Sequence, residues 1–277
     1  FFPGGNIGEL AVHGTVNDLA VSGAKPLYLS CGMIIEAGFP TDSLRKIVKS
    51  MKRAADEAGV KIVTGDTKVV HRGAADQLFI NTAGVGVIRS GISMSAQKIQ
   101  VGDSIIVNGY LGDHGAAILL ARKELDIQAE IESDTQALNG LVDTILDVCM
   151  EVRAMRDVTR GGLATVLNEF AMSSKVGIRL FEKKLPVREK VSAVCEILGL
   201  DPLYFANEGK LVTVVPPDKA DTVLKAMQSH PAGIDSAIVG EVFAPPSGSL
   251  GLVCLKNKFD TERVIDMLTG DQLPRIC

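Results

Sequence analysis

The chain has 277 residues, 46% hydrophobic and 22% charged, enough to bury the core of one large domain or two ordinary ones. Its formal net charge is −4, with no Trp and three Tyr, which excludes the basic, aromatic-rich surface of a nucleic-acid binder. No run of about eighteen apolar residues occurs, which excludes a transmembrane helix.

The first residues, FFPGGNIG, read as a loop entering a helix. The chain starts at Phe1 without a Met, so a leading segment is expected to precede it. Asn6 is the expected N-cap, with Glu9 in a capping-box position three residues on. Ile7, Leu10, Ala11, Val16, Leu19 and Ala20 recur at helical spacing, and Gly23 stops the helix. PLYLSCGMIIE reads as a strand. Thr41 is expected to cap a second helix with Leu44, Ile47, Val48, Met51 and Ala55 on one face, ending at Gly59. VKIVT and QLFINTAGVGVI read as two more strands.

The stretch over residues 93–103 reads as a boundary, dividing the chain at 96/97. Beyond it the pattern predicts a strand at SIIVNG, a helix from about Asp113 to Leu125 and another from about Thr135 to Met150. A short strand over Ala154–Asp157 leads to a helix from Gly162. GIRLF, KLVTVV, SAIVGEV and LGLVCL read as further strands. The fold class is α/β in two halves.

Five cysteines, Cys31, Cys149, Cys195, Cys254 and Cys277, form no C-x-x-C pair, which fits a reduced, cytoplasmic protein without a structural zinc site. Four acidic residues, Asp18, Asp66, Asp113 and Asp157, sit beside turns or glycines. Such carboxylates suit Mg²⁺ with a phosphate substrate. Asp113 also suits a helix N-cap and Asp66 an ordinary turn. TRGGLATVLNEFA opens a helix with Gly161 and Gly162, a setting receptive to phosphate. Lys68 suits phosphate neutralisation or plain solvent exposure. Asn207 and Glu208 precede a strand, where a carboxylate suits a general base or a solvated loop. Of the histidines, His114 is the one expected near a site.

Several motifs together resemble one family. FFPGGNIGELAVHGTVNDLAVSGAKPLYLSCG, VTGDTKVV, GAADQLFINTAGVG, GYLGDHGAA, RDVTRGGLATVLNEFA, FANEGKLV and the terminal PRIC are similar to the HypE family of NiFe-hydrogenase maturation factors. The wider superfamily is that of aminoimidazole ribonucleotide synthetase, selenophosphate synthetase and thiamine-monophosphate kinase. The resemblance implies an ATP-binding and dimerisation domain over 1–96 whose β-barrel spans a homodimer. It implies a second α/β domain over 97–268, and a mobile tail over 269–277 carrying Cys277. It implies ATP and Mg²⁺ as cofactors. Partners would be the carbamoyltransferase HypF and the iron-carrying HypC–HypD complex, with no nucleic acid and no membrane. The implied reaction is ATP-dependent dehydration of a carbamoyl group on Cys277 to a thiocyanate, the source of cyanide for the hydrogenase iron.

By the same resemblance Asp18, Asp66 and Asp157 would hold metal and nucleotide, with Asn17, Gly161 and Gly162 beside them. Lys68 would meet the thiocarboxamide, Glu208 would be the base, His114 a helper and Cys277 the substrate carrier. Fully extended at about 3.3–3.6 Å per residue, the tail would reach on the order of 30 Å. Pro274 biases Leu273 to an extended conformation. A small-molecule ATP user of the selenophosphate synthetase or thiamine-monophosphate kinase type, or a non-catalytic maturation scaffold, are the alternatives.

Overall fold

Asn6 starts the first helix, α1 (Ile7–Val21), its side-chain oxygen accepting the Gly8 N–H at 2.9 Å. The structure, a computed structural model, describes residues 1–122, 129–248 and 250–268. Glu9 does not return to the cap. It ion-pairs Arg53 of α2 (Thr41–Ala58), where a buried carboxylate gains a full opposite charge. Thr41 is the first residue of α2 and not its cap; Pro40 holds that position, and Gly59 ends the helix at φ +70°.

Strand β1 (Ala24–Glu36) pairs in parallel with β2 (Lys61–Val70) and antiparallel with β3 (Leu78–Ile88), giving the order β2-β1-β3. The TGDTK segment lies within β2, with Gly65 opposite Cys31 and Asp66 opposite Gly32. A Cβ on Gly65 would stand 2.1 Å from the Cys31 carbonyl oxygen, so this glycine permits close strand approach and makes no turn. Helices α1 and α2 cover one face of the sheet through Val12, Val16, Leu29, Ile47 and Met51. The other face leaves Tyr28, Ile34, Val85 and Val87 exposed. This sheet is open, with β2 and β3 at its edges.

The second sheet has seven strands in the order β10-β9-β6-β8-β4-β7-β5. They are β4 (Ser104–Val107), β5 (Ala154–Asp157), β6 (Gly177–Phe181), β7 (Leu211–Val215), β8 (Ala237–Phe243), β9 (Leu252–Lys256) and β10 (Glu262–Val264). All pairs are antiparallel except β6 with β9. Alternation along β4 sends Ile105 and Val107 into the core under α5 (Gly162–Ser174), and Ile106 into the core under α4 (Asn139–Val148) and α7 (Ala220–Gln228). A third cluster gathers α3 (Asp113–Ala121) and α6 (Glu189–Leu198) around Phe205.

Three differences from the sequence pattern bear on function. The helix expected from Thr135 starts only at Asn139, and residues 133–138 form a loop tied down by buried side chains. Asp113 is the first residue of α3, after Gly112 at φ +88°, and pairs with Arg188 at 3.1 Å. Helices α6 and α7 and strand β10 were not anticipated. Ala20 and Val21 at the end of α1 enter the core beneath α4, so one helix belongs to both domains.

Because Ile105 is fully buried in an interior strand, Ile105→Ala should cost about 2–5 kcal/mol. Chemical denaturation measures this; an unchanged midpoint would contradict the packing.

Candidate active site

Where α1, the start of β3, the end of β5 and the start of α5 meet, they enclose a cavity of about 580 Å³. Its polar wall is built from Asp18, Asp157, Arg160 and Glu208, and its apolar wall from Ile7, Leu10, Phe79 and Ile80. Each polar group arrives on a different element. Asp18 stands on α1, Asp157 ends β5 and Glu208 precedes β7. The turn from β5 into α5 is tight. Gly161 caps the helix at φ +66°, and a Cβ on Gly162 (φ +62°) would lie 2.4 Å from the Leu203 carbonyl oxygen. Only glycine meets both demands, and the positive end of a thirteen-residue helix is thereby brought to the pocket wall.

The charges are arranged under strain. Glu208 is 6% exposed, and its carboxyl is pushed up to about 8 by burial, then by the neighbouring Asp134, Asp157 and Asp18; Arg160 opposes this. Asp18 is likewise raised, by partial burial and then by Asp157. Asp157 accepts the Thr159 hydroxyl at 3.1 Å, and Arg156 lies 3.6 Å from it and 3.3 Å from Glu169. Arg160 makes no ion pair among the described residues. Two carboxylates that repel across one cavity, beside a helix N-terminus, have the donor chemistry for a hard divalent cation with a phosphate chain.

Not every expected residue joins them. Asn17 is 2% exposed and all its polar atoms are engaged: Nδ2 donates to the carbonyls of Gln136 (3.0 Å) and Glu208 (3.2 Å), and Oδ1 accepts the Leu138 N–H (2.8 Å). It is a fastener and not a nucleotide contact. His114 is fully buried. Its Nδ1 meets the Ser133 hydroxyl at 2.7 Å, the Phe2 ring packs edge-on at 5.5 Å, and burial lowers its pKa to about 4. It does not line the cavity, so the expected helper is a neutral packing residue.

Asp66 and Lys68 lie on β2, outside this cavity; Asp66 lines a separate open groove beside α2. Strand β1 stands between them and the start of β3, with Ile34 in register with Lys68 on one side and with Phe79 on the other. Cys277 lies outside the described residues. Sequence reading missed Arg160, Asp134 and Lys210, and gave Asn207 no role of its own. Asn207 is 1% exposed and binds Gly112 N–H, Val158 C=O and Phe205 C=O, which sets the loop that presents Glu208.

Residues 1–88 match the N-terminal domain, and residues 100–253 the C-terminal domain, of AIR synthase related proteins. The chain is 52% identical over 277 residues to carbamoyl dehydratase HypE of Azotobacter vinelandii, covering all of this chain and 80% of that protein. It is 51% identical to carbamoyl dehydratase HypE of Escherichia coli, covering all of this chain and 81% of the relative. The chain belongs to the HypE family. A crystal structure of a HypE in complex with ATP superposes with a TM-score of 0.95 at 47% identity, covering 100% of this chain and 83% of that one. A HypE–HypF complex superposes with a TM-score of 0.93 at 48% identity, covering 97% of this chain and 86% of the other. Thiamine monophosphate kinase from Aquifex aeolicus, at 20% identity and a TM-score of 0.67, shares the fold.

The raised Glu208 carboxyl ties stability to pH. Folding favours its protonated form, so the stabilising contribution is complete below the ordinary value of 4.5 and is lost as pH rises through about 8. Glu208→Gln cannot ionise and escapes that loss. In thermal melts its midpoint should gain on the wild type steadily from about pH 5 to about pH 8. A gap that stays constant with pH would show that Glu208 is not so buried.

Proposed function

We propose that this protein is an ATP-dependent carbamoyl dehydratase acting on a carbamoyl group carried by Cys277, and that it supplies cyanide for the iron of NiFe-hydrogenase. The observation that carries the reading is the pocket itself. A base with raised proton affinity, Glu208, faces the same cavity as the carboxylates Asp18 and Asp157 and the head of α5. The family supports it, since the relatives bear the name carbamoyl dehydratase and one HypE was crystallised with ATP.

An amide oxygen leaves poorly. Phosphorylation converts S–C(=O)–NH₂ to S–C(–O–phosphate)=NH, with loss of one N–H proton and release of ADP. Cleavage of the C–O bond as the second N–H proton departs gives S–C≡N and inorganic phosphate. Bound Mg–ATP, held by Asp18 and Asp157, supplies the phosphoryl group and neutralises its charge. Glu208 takes an N–H proton. A carboxylate pushed up to about 8 is a far stronger base than one in water, and it lies close to working pH. Arg160 and the α5 N-terminus hold the phosphate chain. The buried Leu10 on the apolar wall would keep water from intercepting the activated amide.

HypF would load the thiol, in keeping with the crystallised HypE–HypF complex, and HypC–HypD would accept the cyanide. A homodimer would cover the apolar face of the three-stranded sheet, where Val85 and Val87 are 61% and 62% exposed, and would close the barrel across two copies. Lys68 and Asp66, on the exposed β2 edge, would then act only in that assembled form. The compartment is the cytoplasm.

Two variants test the chemistry. Asp18→Asn should lose ATP hydrolysis while keeping its circular dichroism spectrum; wild-type turnover would sink the metal role. Glu208→Gln should still bind Mg–ATP and accept the carbamoyl group. Its dehydration should slow by about 10²–10⁴, the usual contribution of a positioned base. Mass spectrometry of the Cys277 peptide reads this as a carbamoyl adduct that persists without losing a water mass. Thiocyanate formed at the wild-type rate would remove Glu208 from the mechanism.

A further inference from the structure

Behind Glu208 lies a buried ion pair that does not line the cavity. Asp134, in the loop before α4, has a side chain 3% exposed, and its Oδ2 stands 3.1 Å from the Nζ of Lys210, itself 8% exposed. Its other oxygen, Oδ1, accepts the backbone N–H of Glu208 at 3.0 Å. The carbonyl of Glu208 is taken from the opposite side by Asn17 Nδ2. Both backbone polar groups of Glu208 are therefore fixed by buried side chains from two different elements.

The following residue is held as firmly. The Gly209 carbonyl accepts from Gln136 Nε2 at 3.0 Å and Asn108 Nδ2 at 3.2 Å. A Cβ on Gly209 would lie 1.9 Å from the Asp134 carbonyl oxygen, so the two backbones touch where only glycine fits. The Asp134 loop is anchored in turn to the first domain. Ser133 N–H donates to the Pro3 carbonyl at 2.8 Å, and the Thr135 hydroxyl meets His13 Nδ1 at 3.1 Å.

Stability alone does not explain an ion pair here. Desolvating two charges costs several kcal/mol, and well-packed apolar residues of similar volume often serve as well. What apolar residues cannot supply is an acceptor for the Glu208 N–H. Asp134 instead meets Lys210 through one oxygen and accepts the Glu208 amide through the other. Resting on the reading of Glu208 as the base, we infer that Asp134, paired with Lys210, is the positioning residue that aims the Glu208 carboxylate into the pocket and ties its placement to the first domain.

The test starts from the full wild-type chain, so that every Asp134 variant leaves Lys210 equally unpaired. Single-turnover dehydration is followed on the Cys277 peptide with HypF, carbamoyl phosphate and Mg–ATP. Asp134→Ala should slow dehydration about 10–100-fold, the scale of a misaimed catalytic group, with the Kd for Mg–ATP changed by less than about twofold. Asp134→Asn retains an acceptor oxygen and should keep the rate within about fivefold of the wild type. Hydrogen exchange at the Glu208 amide gives a readout independent of turnover. It should lose protection in the alanine variant and keep it in the asparagine variant.

Equal rates for alanine and asparagine, or an alanine variant as fast as its parent, would overturn the role. If the alanine variant does not fold, an unprotected Glu208 amide in the asparagine variant overturns it instead. A wild type that never forms the dehydrated peptide would sink the proposed function, and exchange at the Glu208 amide would still decide the positioning.

Discussion

The pocket depends on one side chain, Asn17. It grips the second domain from the first through three hydrogen bonds to the backbone of Gln136, Leu138 and Glu208. Each such bond contributes about 0.5–1.5 kcal/mol net, and a buried partner left unsatisfied costs about 1–3 kcal/mol. The consequence is geometric as much as energetic. Asp18 follows Asn17 on the same helix, so the bonds that seat Asn17 also place Asp18 opposite Asp157 and Glu208. The same helix packs Val12 and Val16 into the first core and Ala20 and Val21 into the second. A rotation of α1 would break the domain contact and the pocket together.

The site gathers carboxylates in spite of their repulsion. Asp18, Asp157 and Glu208 share one cavity, and burial together with mutual charge raises the proton affinity of Glu208 and of Asp18. A fold selected for stability alone would separate them. The surrounding scaffold offsets the cost with deep apolar packing under both faces of the seven-stranded sheet and with buried hydrogen bonds made by Asn207 and Asp134. A divalent cation and a phosphate chain would relieve that repulsion, which couples ligand binding to the stability of the domain contact.

Much of the scaffold was legible in the chain itself. Asn6 as cap, Gly59 as stop and the alternation in QLFINTAGVGVI each act through neighbours a few residues away, and each appears where the local pattern puts it. The errors have the opposite character. TGDTK looks like a turn because glycine and aspartate favour turns, yet Gly65 is demanded by a strand thirty-odd residues back in the chain. Residues 135–138 look helical, yet the Asn17 side chain takes the Gln136 carbonyl and the Leu138 N–H. Asn17 and His114 stand beside acidic motif residues and look functional, while their partners make one a clamp and the other a neutral packing ring.

Local spacing, turn chemistry and hydrophobic period determined the elements, the two α/β halves and the identity of Asp18, Asp157 and Glu208 as residues of interest, because these are properties of short stretches of chain. Only the tertiary structure decided which of them meet. Asp18 and Glu208 are 190 positions apart, and the contact that joins their neighbourhoods is a side-chain amide bound to distant carbonyls. Asp134 shows the same limit. It carries no motif, and its importance lies in a backbone N–H it reaches only after the chain has folded, since hydrogen-bond geometry is a property of space and not of sequence.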